Sequence, residues 1–344
     1  MMSSAVVLNL LLLVSIASAG HYYGGSLTFT TKGTNPDGSI RVEFRIKQNY
    51  DENSCYYQPY NCISGNCGYE SNLVYGKVDR SSNGRSGYTN TWCQNEAVVT
   101  RNIHGNAPFD MQDYSCCWVP TVNYVGSWRL LTHVDLGIRA DTNKPNHSPI
   151  TTILPLIRVP QNCPRTYHLM AFDPDGDQVR CRYGLQQNSE CDTCDQPSGF
   201  NLNQWYHQQT TTVQTSTPGW WRHQTVPTTS HQRSYEPFSK IPLQFSVLVD
   251  PPAPSCTEGL YIPHFLSPTP HDGERLHGAP LRELEIRVKA TAAYTTVNDV
   301  IISGPLNITK HPMSSGEYTI RWTPMRDDLG ESFPICFIAE SSDG

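Results

Sequence analysis

The stretch "SLTFTTKGTNPDGSIRVEFRIK", residues 26–47, decides the fold class. Leu27 and Phe29 alternate with threonines, and Ile40, Val42, Phe44 and Ile46 alternate with Arg41, Glu43, Arg45 and Lys47. A period of two sends successive side chains to opposite faces of a strand. Between the runs, Asn35-Pro36-Asp37-Gly38 has the chemistry of a turn: proline presets φ, glycine tolerates positive φ, and asparagine and aspartate bond nearby amides. The pattern predicts a β-hairpin with one apolar face and one charged, wet face.

The same alternation recurs down the chain, in "GSWRLLTHVDLGIR" (126–139), "IPLQFSVLVD" (241–250), "LRELEIRVKATAAY" (281–294), "GEYTIRWTP" (316–324) and "FPICFIAE" (333–340). With 26 Pro, 24 Gly and 18 Tyr, many short strands joined by turns are expected. The predicted fold class is all-β, with tandem β-sandwich domains linked by disulfides behind a cleaved signal peptide. "MMSSAVVLNLLLLVSIASAG" carries an apolar run ending in Ala17-Ser18-Ala19, so residues 1–19 read as that peptide and the mature protein as secreted. No second long apolar run occurs, and no membrane span is expected. "DTNKPNHSP" (141–149) marks a boundary, giving a Cys/Tyr-rich domain at 20–145, a second at 146–254 and a third at 255–344. Cys55 to Cys93 reads as loop. "TTTVQTSTPGWWRHQTVPTTS" (210–230) reads equally as strand or as an O-glycosylated tract. The chain stops at "SSDG" directly after a strand, which reads as an incomplete sequence. The net charge of −6 with mixed signs argues against nucleic-acid partners.

Twelve cysteines fall in even sets: Cys55, Cys62, Cys67, Cys93, Cys116 and Cys117; Cys163, Cys181, Cys191 and Cys194; Cys256 and Cys336. In an oxidising compartment all twelve are expected to pair, each domain closing its own bridges. Cys191-Asp-Thr-Cys194 has zinc or redox spacing, but no second such pair lies near, and structural disulfides are the better reading. Adjacent Cys116 and Cys117 are expected to bond different partners.

"AFDPDGDQVRCRYG" (171–184) sets Asp173, Asp175 and Asp177 between alternating runs. It is no EF-hand, because Gln178 stands where that loop needs Gly and Gly184 where it needs Glu. Loop chemistry alone favours a plain turn. With "NHSPI" (146–150) before it and "PSGFNLN" (197–203) after it, the stretch resembles the Asp-rich loops of cadherin-like and immunoglobulin-like extracellular repeats. "IRWTPMRDDLGESFPICFIAE" (320–340) is similar to their closing hairpin. The likeness covers residues 146–344. It implies a weak, millimolar-range calcium site on Asp173, Asp175 and Asp177, with Asp141, Asn143 and Asn146 of the linker as further oxygens. The linker is a loose version of the cadherin pattern. The arrangement with the "HYYGGSLTFTTKGTNPDGS" opening is also similar to secreted proteins of fishes and marine invertebrates, which implies an extracellular role and no defined activity.

Other chemistry is sparse. There is no Gly-x-Ser-x-Gly elbow, His-Glu-x-x-His helix or phosphate-cradling glycine loop. If His21 were the mature N-terminus, it could bind copper with His104, His133 or His168, as in secreted copper monooxygenases, but Ala17-Ser18-Ala19 favours cleavage before Gly20. Trp220 and Trp221 suggest a carbohydrate-binding module. "NGR" (83–85) suits a turn as well as an integrin ligand. Asn307-Ile308-Thr309 is a good glycosylation sequon, whereas Asn146-His147-Ser148 is spoiled by Pro149. The expectation is a non-enzymatic structural or adhesive protein of an extracellular matrix (a mineralised skeleton or shell, or an egg or mucus coat). Its partners would be matrix proteins or glycans, and calcium its one cofactor.

Overall fold

The computed structural model describes residues 21–81, 91–152, 154, 156–194, 196–203, 209–213, 215, 219–230 and 238–341. The expected signal peptide and the "NGR" stretch lie outside these residues, as do the side chains of Trp220 and Trp221. The fold is almost entirely β.

The opening hairpin is formed by β1 (Tyr22–Thr34) and β2 (Ile40–Asp51), closed by Gly38 at φ 83°, whose N–H donates to Asn35 O at 2.9 Å. After β3 (Asn61–Ser64) come β4 (Tyr69–Arg80), β5 (Trp92–Ile103), β6 (Phe109–Cys116) and β7 (Ser127–Val134). The expected loop from Cys55 to Cys93 thus contains a twelve-residue strand, β4, at the sheet edge beside β5. Its mostly exposed residues carry little alternation, which hid it. The apolar faces of β1, β2 and β5 meet the sheet β3–β6–β7. Phe29, Val42, Phe44, Ile46, Val99, Phe109, Trp128 and Leu130 are all at most 2% exposed in this first sandwich.

Beyond it lie β8 (Ile150–Thr151), β9 (Leu156–Pro160), β10 (Arg165–Leu169), β11 (Ala171–Phe172), β12 (Gln178–Arg182), β13 (Phe200–Asn203), β14 (Gln209–Val213), β15 (Gly219–Ser230) and β16 (Leu243–Asp250). The threonine-rich tract therefore takes strand backbone, in β14 and β15. Ile157, Val159, Leu169, Phe200, Val213, Phe245 and Val247 fill a second core, between β9/β16 and the sheet β10–β14–β13.

The first two sandwiches share one sheet, in the order β12–β15–β16–β1–β2–β5–β4, with β9 pairing β16 in parallel. Main-chain hydrogen bonding thus runs through the boundary expected at residue 145. Gly24 permits the junction: its φ is 138°, and a Cβ there would stand 2.1 Å from Gln244 O. Any side chain would push β16 away. Because β16 lies inside this sheet, its polar residues are buried too. Gln244 Nε2 donates to Arg129 O at 2.7 Å and Ser246 Oγ to Tyr23 O at 2.9 Å.

The third module has β17 (His264–Leu266), β18 (Leu284–Thr291), β19 (Val297–Ser303), β20 (Thr309–Ser314), β21 (Glu317–Trp322) and β22 (Cys336–Ser341). The sheet β17–β18–β21–β20 packs Ile286, Val288, Tyr318 and Ile320 onto Val300 and Ile302 of the pair β19–β22.

This module covers the charged face of the opening hairpin, which is therefore not wet. Lys32 bonds Glu331 and, at 3.0 Å, Asp327 O. Arg45 lies 2.8 Å from Glu43, 3.4 Å from Asp328 and 3.7 Å from Glu96. Lys47 reaches Glu96 at 3.3 Å and bonds Gly304 O. Burial pushes the Lys47 ammonium down and the Glu331 carboxyl up. Alternation had placed these residues on one face correctly, but water was the wrong neighbour.

The cysteine sets also need correction. Cys55–Cys93, Cys62–Cys67 and Cys191–Cys194 close within their sets, but Cys163–Cys256 joins the second set to the third. The parallel pairing of β9 with β16 explains this, because Pro160 and Asp250 are register partners and both strands exit at one end. Cys116, Cys117, Cys181 and Cys336 are free thiols, against the expectation that all twelve pair. Cys181 faces the second core and Cys336 lies beside Thr152 O; burial raises both thiols to about 12, so they are inert at neutral pH.

Candidate functional site

The acidic loop forms a tight turn. Gly176, at φ 83°, donates its N–H to Asp173 O at 3.1 Å, and Asp173 Oδ1 accepts the N–H groups of Asp175 (2.8 Å) and Asp177 (3.4 Å). An aspartate that ties down the two amides ahead of it is ordinary turn chemistry. What the other two acids do is less ordinary.

The loop and the linker do come together, and Arg139 stands between them. Its guanidinium donates to Asp141 through Nε (3.0 Å) and Nη2 (2.7 Å) and to both oxygens of Asp177. Asn146 Oδ1 accepts from Nη1 at 3.3 Å, and Asp175 lies 3.8 Å away. The fork of a guanidinium fits a carboxylate two bonds at a time, and here it does so twice. The Arg139 side chain is 4% exposed and that of Asp177 is 7%. The bonds from Asp177 and Asp141 raise the guanidinium pKa further, and the Arg139 bond holds Asp141 below the usual carboxylate range.

Asp175 holds the start of the second segment. Its two oxygens accept from the His147 main-chain N–H and from Nδ1, each at 2.9 Å, while His147 Nε2 meets Thr31 Oγ1 of β1 at 3.0 Å. Next along, Ser148 Oγ accepts the Phe29 N–H at 2.8 Å. Burial alone would lower the His147 pKa, yet the bond and charge of Asp175 outweigh it and raise it. Burial would likewise raise Asp175, and His147 with Arg139 brings it below its ordinary value. Asp173 is the exception. Its Oδ2 is buried with no hydrogen-bond partner, and burial first, then the Asp175 and Asp177 charges, push its carboxyl up to about 7.

Of the expected oxygens, Asp141, Asn146, Asp175 and Asp177 surround Arg139. Asn143 sits in the exposed turn at φ 55° and donates its N–H to Arg139 O at 2.9 Å. Arg139 and His147 are the residues that sequence reasoning missed. The signal was available in an arginine two residues before Asp141 and a histidine beside Asn146. Asn146 is 2% exposed, with its Nδ2 on Ser239 Oγ and Asp135 O, so it cannot carry a glycan. Asn307 is exposed in the turn between β19 and β20.

The other candidates are scattered. His21 lies beside Asp51 at one end of the opening hairpin, and His104 faces Asp37 at the other. His133 bonds Asp110 and His168 faces Asp272. Among the described residues, no group of three or more His, Cys, Asp and Glu is arranged to hold a metal ion, and no helix is long and apolar enough to cross a membrane.

No family model and no curated protein matches this chain. Among solved structures, it is similar to the I-band fragment I67–I69 from titin, at 9% identity over 87% of this chain and 88% of that one, with TM-score 0.21. The human desmocollin-1 ectodomain gives 8% identity over 92% and 71%, with TM-score 0.21. Sidekick-1 immunoglobulin domains 1–5 give 9% over 94% and 73%, with TM-score 0.17. At such scores the chains do not superpose as whole molecules. The expected kinship with secreted proteins of fishes and marine invertebrates finds no support in these comparisons.

Proposed function

We propose that this protein is an extracellular scaffold of adhesion type, without catalysis of its own, in which the acidic loop is a strut. The observation that carries the reading is that two of the loop's three acids, Asp175 and Asp177, are spent on His147 of the linker and on Arg139. A catalytic acid or base must face substrate, whereas Asp175 and Asp177 face His147 and Arg139 inside the molecule. The bonds tie loop, linker and β1 together, which suits a part that transmits force or presents surfaces at fixed spacing. Four disulfides fit an oxidising, extracellular setting. Arg139 takes the place that the resemblance implies for calcium, so that the cation would have to displace it.

Partners would then meet the outer faces, as matrix proteins or glycans. A glycan reading has one specific support: Tyr56 and Tyr75 are 47% and 60% exposed, and Tyr75 stacks on Tyr57 with ring centroids 6.1 Å apart. Binding of the secreted full chain to immobilised matrix proteins and a glycan array, with EDTA or with millimolar calcium, tests the proposal. Binding that survives EDTA is expected. Binding on neither support, or binding that calcium switches on, contradicts it.

A further inference from the structure

The third module carries a hollow of about 590 Å³ between the segment 267–276 and β18, within the size range of ligand sites. Its floor is apolar, with Phe265 and Leu266 each 38% exposed and Leu276 41% exposed. Its rim carries Asp272, Glu274 and Glu285; Glu285 is already held by Arg287 Nε at 3.1 Å and by Arg321 Nη2 at 3.2 Å, which leaves Asp272 and Glu274 as the free acids of the rim. Asp272 faces His168 at 3.5 Å and Glu274 accepts the His271 N–H at 2.8 Å; among the described residues neither has a lysine or arginine partner.

A second feature is independent of the charges. The β17–β18 ladder pairs His264 with Thr291, Phe265 with Ala290 and Leu266 with Lys289, and stops there. Along the groove, Glu285 to Arg287 continues as strand, bonded to β21 on its other side and beyond the end of β17 on this one. A strand edge that outruns its neighbour offers main-chain donors and acceptors to an added strand. The outer wall is also fixed in advance. Thr269 Oγ1 accepts the Lys289 N–H (2.8 Å) and donates to Lys289 O (3.0 Å), and Thr269 N–H bonds Leu266 O at 2.9 Å. A wall already pinned reduces the ordering cost of binding.

We propose that this groove takes an extended, cationic peptide segment, which adds beside β18 with apolar side chains on Phe265, Leu266 and Leu276 and lysine or arginine against Asp272 and Glu274. The inference rests on the reading of the chain as a binding scaffold and names the chemistry of one partner. The surplus of negative charge on the rim selects against acidic segments, and the open edge selects for extended ones.

A fluorescein-labelled heptapeptide alternating lysine and valine is the probe, titrated by anisotropy into the full chain. Saturable binding is expected, weakened at least about tenfold by Asp272→Lys with Glu274→Lys, by Leu276→Asn, and by proline at the central valine of the probe. Tyr124→Ser, at a side chain 94% exposed and outside the groove, leaves it unchanged. A glutamate–valine probe that binds as well, or affinity indifferent to both groove variants at unchanged melting temperature, overturns the proposal. Failure of the unsubstituted chain to bind the peptide, with its matrix or glycan binding intact, counts against the groove alone, and failure of both counts against the scaffold reading.

Discussion

Two of the buried ionic clusters among the described residues are built differently. Around Arg139, one cation serves Asp141 and Asp177, with Asp175 and His147 alongside, and every partner lies within 38 residues of it. On the charged face of the opening hairpin, Lys32 of β1 and Arg45 and Lys47 of β2 meet Glu43 and Glu96 from their own sandwich and Asp328, Glu331 and Gly304 O from the third module, up to 299 residues away. The first cluster closes a turn. The second joins two modules. Burying ions costs several kcal/mol each unless partners and hydrogen bonds replace water. Around Arg139 the guanidinium bonds both Asp141 and Asp177, whereas in the hairpin cluster Glu43 Oε1 and Glu96 Oε2 have cations nearby but no hydrogen bond. The lesson is that charge in this chain marks internal joints as well as surface.

The sharpest way to break the comparison is at the module seam. Arg45→Ala leaves Glu43, Glu96 and Asp328 facing one another with a cation gone, and is expected to cost about 4 kcal/mol. Calorimetry should show the third module melting separately, and limited proteolysis should release it. Next comes Arg139→Ala, expected to cost about 3 kcal/mol by stranding Asp177, with part of the loss recovered in Arg139→Ala/Asp177→Asn. Chemical denaturation of the four species of that cycle measures both effects. The seam should be indifferent to the second pair, because no partner is shared.

A smaller effect follows from protons. Burial holds Asp113 at about 7, between Gln48 Nε2 (3.1 Å) and Gln58 Nε2 (2.9 Å), and Asp173 also at about 7, while His147 is raised by Asp175. In all three the folded chain holds protons that the unfolded chain has released. Stability should therefore rise as pH falls from about 8 to about 5, until protonation of Asp175 and Glu190, held low in the fold, reverses the trend below about 4. Thermal melts across that range check the sign, and Asp113→Asn with Asp173→Asn should flatten the slope. Smallest is the thiol count. Titration of the unfolded chain should find four free thiols, and in the native state those of Cys181 and Cys336 should react far more slowly.

The hairpin, the alternating strands and the turn at Asp173 were legible because each is written within a dozen residues. The shared sheet was not, since what joins β1 to β16 is a glycine at position 24 whose missing Cβ admits Gln244 O. Nor was the burial of Arg45 and Lys47, because a charged face looks the same whether water or a second module covers it. The acids of the candidate site were found and their partner was missed. Aspartates spaced as in a cation loop do not say whether the cation is a metal ion or a guanidinium from the same chain.

Thermal unfolding of the full chain in EDTA and in millimolar calcium tests most directly whether an arginine, and no metal, closes the acidic loop. The two midpoints should coincide to within about 1 °C, while Arg139→Ala should gain stability from calcium. A rise of several degrees with calcium in the unsubstituted protein would contradict the account.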